Sequence, residues 1–97
     1  MSKIAVFPGT FDPITIGHVD IINRASTMFD KIIVAVGVNT KKTTLFDLSV
    51  RKEWIKIAFE NNAKVEIADY EGLTVDFCKK HNAKLLLRGL KIGRAHV

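Results

Sequence analysis

The sequence predicts an α/β fold built on a doubly wound parallel sheet with helices on both faces. Two short runs, residues 4–7 and 32–36, are apolar at every position, as strands are when both faces of a parallel sheet are buried. Segments with helical spacing follow these runs, and only a few residues connect one segment to the next. Strands that alternate with helices in this way give right-handed crossovers and a parallel sheet.

The remaining elements follow from local patterns along the chain. Residues 64–68 alternate polar and apolar side chains, which is typical of a strand nearer a sheet edge. Asp47 suits the N-cap of a helix from residue 48 to about residue 59. The predicted buried stripe of that helix consists of Val50, Trp54, Ile57 and Ala58. We expect the strands at residues 4–7, 32–36, 64–68 and 84–87, and the helices from about residues 15, 48 and 73.

Composition excludes several classes of protein. With 47% hydrophobic and 26% charged residues in a chain of 97, we expect one globular domain at most. No run approaches the length of a membrane span, and we expect a cytoplasmic protein without a membrane partner. The net charge of +5 suits acidic ligands, but the basic residues are scattered without interleaved aromatic side chains, which disfavours nucleic acid. The single cysteine, Cys78, is expected to be a core residue.

The turn after the first predicted strand has the features of a phosphate site. Gly9 lets a ligand approach the main chain closely. The helix that begins near Gly17 and His18 offers backbone amides and the positive end of its dipole to an anion. The His18 imidazole adds a directed donor. Considered alone, a histidine in this position is more often a solvent-exposed helix residue, so the surrounding residues must decide.

Those surrounding residues form an extended motif. Residues 7–15, Phe-Pro-Gly-Thr-Phe-Asp-Pro-Ile-Thr, lead into Thr15-x-Gly17-His18. This string resembles the T/H-x-G-H motif of the nucleotidyltransferase superfamily, and its long form is most similar to the bacterial phosphopantetheine adenylyltransferase family. Residues 88–90, Arg-Gly-Leu, match three positions of that family's Arg-Gly-Leu-Arg. The resemblance implies that residues 1–91 are the N-terminal portion of a single Rossmann-like nucleotidyltransferase domain.

The resemblance also implies a reaction and a set of site residues. The reaction is attack of 4′-phosphopantetheine on the α-phosphate of ATP, which gives dephospho-coenzyme A and pyrophosphate. The catalytic residues that it implies are His18, as transition-state stabiliser, with Thr10 and Lys42. The implied phosphopantetheine contacts are Thr10, Lys42, Thr74 and Arg88, and the implied ATP contacts are Thr10, Phe11, His18, Gly89, Leu90 and Lys91. Mg²⁺ is expected on the polyphosphate without protein ligands, and full-length members of the family are expected to form homo-hexamers.

The end of the sequence departs from the family pattern. Lys91 replaces the last arginine of Arg-Gly-Leu-Arg, which keeps the charge and loses the bidentate fork. Residues 92–97 resemble no part of the family and match one translated frame of a common sequencing-library adapter, so we expect a non-native tail. The family's C-terminal part is then missing, the fourth strand has an uncovered edge, and these residues alone are expected to be inactive.

Two alternatives remain open at this point. Thr15-x-Gly17-His18 alone fits other nucleotidyltransferases, such as a nicotinamide-nucleotide adenylyltransferase or a cytidylyltransferase for an alcohol phosphate. A nucleotide-binding fragment without catalysis is the alternative from another class. Rossmann-type dinucleotide binding is disfavoured, because the turn after the first strand lacks G-x-G-x-x-G.

Overall fold

A computed structural model describes residues 3–39, 41, 43–88 and 91–94, with only the main chain for residues 88 and 91–94. It contains five strands and three α-helices, which alternate through most of the chain. Their order is β1 (Ile4–Gly9), α1 (Ile16–Ala25), β2 (Lys31–Gly37), α2 (Leu48–Ala58), β3 (Val65–Tyr70), α3 (Thr74–Lys80), β4 (Leu85–Arg88) and β5 (Lys91–Arg94).

The strands form one sheet in the order β3-β2-β1-β4-β5. The first four strands are parallel, which confirms the predicted α/β architecture. The register of β1 and β2 runs from Ile4 opposite Lys31 to Gly9 opposite Val36. The alternating strand β3 lies at one edge, as its pattern predicted. Strand β1 therefore lies near the middle of the sheet, and the turn that follows it has a neighbouring loop from β2.

The two faces of the sheet carry separate hydrophobic clusters, because successive side chains of a strand point to opposite faces. The face under α1 and α2 buries the larger cluster, which includes Ala5, Phe7, Phe11, Ile22, Phe29, Ile32, Val34, Ile55 and Phe59. The face under α3 buries Val6, Ile33, Ala35, Phe77, Cys78, Ala83 and Leu86. The prediction that Cys78 is a core residue is confirmed.

The predicted buried stripe of α2 is wrong. Val50, Trp54 and Ile57 are 37%, 38% and 54% exposed, and Ala58 is also exposed. The buried residues of α2 are Arg51 and Ile55, followed by Phe59 at the C-cap. Both stripes have helical spacing, so periodicity alone could not choose between them. An arginine in the buried stripe hid the correct one, because charged side chains are usually exposed.

Two strand boundaries also differ from expectation. Strand β1 does not end before Pro8 but continues to Gly9, with Pro8 opposite Ala35 of β2. The edge beyond β4, expected to be open, pairs in the antiparallel direction with β5, from Leu85 opposite Arg94 to Arg88 opposite Lys91. The main chain of residues 92–94 is therefore part of the sheet. The non-native origin of residues 92–97 stays a prediction. No helix in the described part of the chain is long and apolar enough to cross a membrane.

Candidate active site

A cavity of about 170 Å³ opens where β1, β2 and β3 end. Parallel strands place their carboxyl ends at one edge, and the loops that follow them line the cavity there. The lining residues are Thr10, Gly37, Val38, Asn39, Thr44, Tyr70 and Gly72. Thr74, the first residue of α3, lies beside the cavity, and its hydroxyl is 2.8 Å from that of Tyr70. Two of the predicted substrate residues, Thr10 and Thr74, are thus brought to one place.

His18 lies in the first turn of α1 and forms a capping box with Thr15. The Thr15 amide donates to His18 Nδ1 at 3.1 Å, and the His18 amide donates to Thr15 Oγ1 at 3.3 Å. An amide can only donate, so Nδ1 must be the acceptor nitrogen of the imidazole. In the neutral ring the proton therefore lies on Nε2, which makes Nε2–H a fixed donor.

Two phenyl rings pack against this imidazole. The Phe11 ring centroid lies 5.1 Å from that of His18, and the Phe7 centroid lies 6.1 Å away, both in edge-to-face arrangements. Burial lowers the pKa of His18 from its ordinary value of 6.5, because an apolar environment disfavours the charged form. At pH 7 the side chain is therefore mainly neutral, and the neutral ring carries one proton to donate.

The first turn of α1 offers fewer amides to an anion than the sequence suggested. The amides of His18 and Val19 both bond Thr15, the first to its side chain and the second to its carbonyl. The His18 amide is therefore bonded within the helix cap and is not one of the amides open to a ligand. The amides of Ile16 and Gly17 have no carbonyl partner inside the helix, because they precede its first complete turn. These two amides can still meet an anion at the positive end of the dipole.

Phe11 has an uncommon main-chain conformation, with φ at +50°. For a bulky residue the left-handed region costs about 1–3 kcal/mol and persists only where the surroundings hold it. The residue is 3% exposed, and its ring packs against that of Phe7 with centroids 5.9 Å apart. A Cβ at Gly9 would lie 3.1 Å from this ring, so the glycine makes room for it. A Phe11 contact to ATP, which the resemblance implied, would have to come from the main chain.

Several predicted site residues fall outside what the structure describes. Lys42, Gly89 and Leu90 lie outside the described residues. Arg88 ends β4 and Lys91 begins β5, and only their main chain is described. Their strand positions put Arg88 at the carboxyl end of a strand next to β1, on the same side of the sheet as Thr10.

Two residues near the site were missed as functional candidates. The Asp12 carboxylate accepts the amides of Leu45 and Phe46 at 2.6 and 2.8 Å, so it joins the loop after β1 to the loop after β2. Arg51, 4% exposed, donates from Nη1 to the Thr10 carbonyl at 2.8 Å. Helical spacing with Ile55 was the only sequence signal for its burial.

The described residues contain no group of three or more His, Cys, Asp or Glu side chains that could hold a metal ion. Carboxylates are the side chains that bind Mg²⁺ in proteins. Asp12 lies near Thr10, but its two oxygens already accept main-chain amides. The described side chains therefore do not fit a resident metal site.

Comparisons with known proteins agree with this fold and motif. The chain is 52% identical over 92 residues to phosphopantetheine adenylyltransferase of Christiangramia forsetii, and 50% identical over 91 residues to that of Francisella tularensis subsp. novicida. These alignments cover 95% and 94% of the chain but only 61% and 56% of the relatives, so the chain spans about three fifths of their length.

Solved structures support the fold. Nicotinic acid mononucleotide adenylyltransferase of Plasmodium falciparum matches 84% of the chain with a TM-score of 0.70 at 22% identity, over 46% of its own chain. A lipopolysaccharide core biosynthesis protein of Thermoplasma volcanium matches 89% with a TM-score of 0.67 at 17% identity, over 73% of its own chain. The cytidylyltransferase-like family model matches residues 6–95, which include every described strand and helix except the first two residues of β1. The chain therefore belongs to the cytidylyltransferase-like family.

Proposed function

We propose that this chain carries part of the active site for adenylyl transfer from ATP to 4′-phosphopantetheine. The observation that carries the proposal is the identity of about half of all residues with two phosphopantetheine adenylyltransferases across the whole described site. In the reaction, a phosphate oxygen of 4′-phosphopantetheine bonds to the α-phosphorus of ATP. The bond from that phosphorus to the β-phosphate oxygen breaks, and pyrophosphate leaves with the electron pair.

The nucleophile is an anion at neutral pH, so the reaction needs no general base. The protein contributes positioning and charge stabilisation. His18 suits this role because the hydrogen bond to Nδ1 fixes the proton on Nε2. We propose that Nε2–H donates to the α-phosphate as negative charge builds in the transition state. This donor favours the transition state over the ground state because it is aimed at charge that develops during the transfer.

The attacking phosphate belongs in the cavity beside Thr10. The hydroxyl and amide of this exposed residue follow the end of β1 directly. We propose that Lys42 and Arg88 complete the anion site as cations, and that Thr74 contacts the pantetheine arm. The ATP contacts of the proposal are Phe11, through its main chain, and Gly89, Leu90 and Lys91.

Mg²⁺ enters the proposal only as part of the substrate. The described residues provide no three-residue ligand set, whereas triphosphate oxygens bind this ion readily. A homo-hexamer, a cytoplasmic location and the absence of nucleic-acid or membrane partners belong to the same proposal. That these 97 residues alone lack turnover stays a prediction.

Substrate-induced stabilisation of the purified chain tests the choice of substrate. A ligand that binds only the folded state raises the melting temperature. We expect 4′-phosphopantetheine to raise it, and nicotinamide mononucleotide and phosphocholine at equal concentration to leave it unchanged. Equal or greater stabilisation by either of the other two would contradict the assignment and favour the corresponding relative of the family.

Thr10→Val provides the matched site variant for this experiment. It removes the hydroxyl that lines the cavity and should reduce the shift produced by 4′-phosphopantetheine. Thr27→Val is the control, because the Thr27 hydroxyl bonds the Arg24 carbonyl beyond the far end of α1. A shift that survives Thr10→Val unchanged would place the ligand elsewhere.

A further inference from the structure

The left-handed residue Phe11 has hydrogen bonds on both sides. The carbonyl of Thr10, the residue before it, accepts from Arg51 Nη1 at 2.8 Å. The carboxylate of Asp12, the residue after it, accepts the Phe46 amide at 2.8 Å. A conformation that other residues of this size avoid is therefore held at its two ends by groups from outside the turn.

These contacts close into a ring. Arg51 Nε also donates to the Phe46 carbonyl at 3.0 Å, so Phe46 is held through its amide by Asp12 and through its carbonyl by Arg51. The ring runs from Thr10 to Arg51, from Arg51 to Phe46, from Phe46 to Asp12, and back along the chain through Phe11. It joins the loops that follow β1 and β2, and its only side chains are those of Asp12 and Arg51.

Arg51 is a buried arginine, which is uncommon for a charged side chain. Arg51 is 4% exposed, and both of the bonds described go to main-chain carbonyls. A buried charge is costly unless hydrogen bonds compensate it. The planar guanidinium can serve two carbonyls at a fixed mutual angle, which a lysine cannot do. The bonds of Arg51 thus determine the relative position of two loops.

We propose that Arg51 and Asp12 are positioning residues for the candidate active site. Together they hold Phe11 in its left-handed conformation, so that its ring stays against the His18 imidazole, 5.1 Å between centroids. This contact orients the His18 imidazole, whose Nε2–H is the donor, and excludes water from one side of the imidazole. The inference rests on the proposed function only in treating His18 as that donor.

Nuclear magnetic resonance of the 97-residue chain tests this without any nucleotide. The measured quantities are the cross-relaxation between Phe11 and His18 ring protons and the titration of the imidazole. In the unaltered chain we expect the cross-relaxation to be present. In Arg51→Met we expect it to be lost, and the pKa of His18 to rise towards its ordinary value as water reaches the ring. Arg51→Lys should restore the contact only in part.

Asp12→Asn serves as the second variant, because Arg51→Met could prevent folding. An asparagine keeps one oxygen acceptor and loses the charge, so we expect a weaker Phe11–His18 contact in a folded protein. Ile55→Val is the matched control for a packing loss in the same buried stripe of α2. It should leave both measured quantities unchanged.

Three results would overturn the proposal. They are an unaltered chain without Phe11–His18 cross-relaxation, a folded Asp12→Asn or Arg51→Met variant that keeps it in full, and an Ile55→Val variant that loses it equally. The proposed function is tested by a different measurement. A chain that does not bind 4′-phosphopantetheine can still show the contact between the Phe11 and His18 rings.

Discussion

Both faces of the sheet bury an apolar cluster, but the two clusters differ in the site contacts that their side chains make. Under α1 and α2, the cluster that includes Phe7 and Phe11 extends to His18 and to the loop contacts of Arg51. Under α3, the cluster around Ile33 and Cys78 contains no predicted catalytic residue. Buried substitutions on the two faces should therefore have similar effects on stability and different effects on the site.

The largest expected difference concerns the histidines of the two faces. In an active protein that contains this sequence, His18→Ala should lower turnover by about 100- to 1,000-fold, the usual loss for one donor to a developing charge. His81→Ala is the control, because His81 packs on Phe77 of α3 with ring centroids 4.3 Å apart. Turnover of His18→Ala within about threefold of the unaltered protein, with chemistry rate-limiting, would contradict the role of His18.

A second difference concerns two glycines at the ends of neighbouring strands. An added Cβ at Gly9 would meet the Phe11 ring at 3.1 Å, whereas at Gly37 the nearest atom, Tyr70 Oη, lies at 3.7 Å. Gly9→Ala should therefore lower the free energy of unfolding by about 1–3 kcal/mol, as overpacking does. Gly37→Ala should be tolerated. Denaturant unfolding measures both, and equal effects would show that Phe11 has room to move.

A smaller effect is expected from a buried substitution that lowers stability without changing the candidate site. Ile33→Val, on the face under α3, should lower the free energy of unfolding by about 0.5–1.5 kcal/mol through loss of one buried methylene. It should leave the His18 titration unchanged, because Ile33 belongs to the other cluster. A change in the pKa of His18 in this variant would show that the two faces are coupled.

The smallest effect is a pH dependence of stability. Burial lowers the folded-state pKa of His18 below 6.5, so the unfolded chain binds more protons below that pH. The contribution of His18 to the free energy of unfolding is present in full above pH 6.5. It is lost as the pH falls through the folded-state pKa of His18. His18→Gln should therefore flatten the decline in melting temperature between neutral and mildly acidic pH. An unchanged slope would contradict the burial of a neutral imidazole.

Sequence reasoning found the elements whose signals are local. The apolar strands, the edge position of β3 and the turn that leads into His18 all follow from short patterns. The roles expected of Lys42 and Arg88 came from the resemblance. The segment from β1 to the start of α1 could be predicted from the sequence because strand, turn and helix start lie within about 20 consecutive residues.

The rest depended on contacts between distant residues. Phe11 has a left-handed φ, which is unfavourable for a bulky residue and is maintained only by contacts in the folded protein. No local sequence pattern predicts this conformation. The choice between two apolar stripes of α2 depended on Arg51 finding carbonyls 5 and 41 residues away in the sequence. A pattern of apolar spacing contains no information on either point.

Locating the bound substrate within the chain tests the proposed site directly. Titration of the isotope-labelled chain with 4′-phosphopantetheine, followed through amide chemical shifts, reports where the anion binds. We expect the largest shifts at Thr10, Gly17 and the residues that line the cavity, such as Asn39 and Gly72. We expect small shifts along α3 beyond Thr74. Shifts centred on Phe77 and Cys78, or none at saturating substrate, would contradict the proposed site.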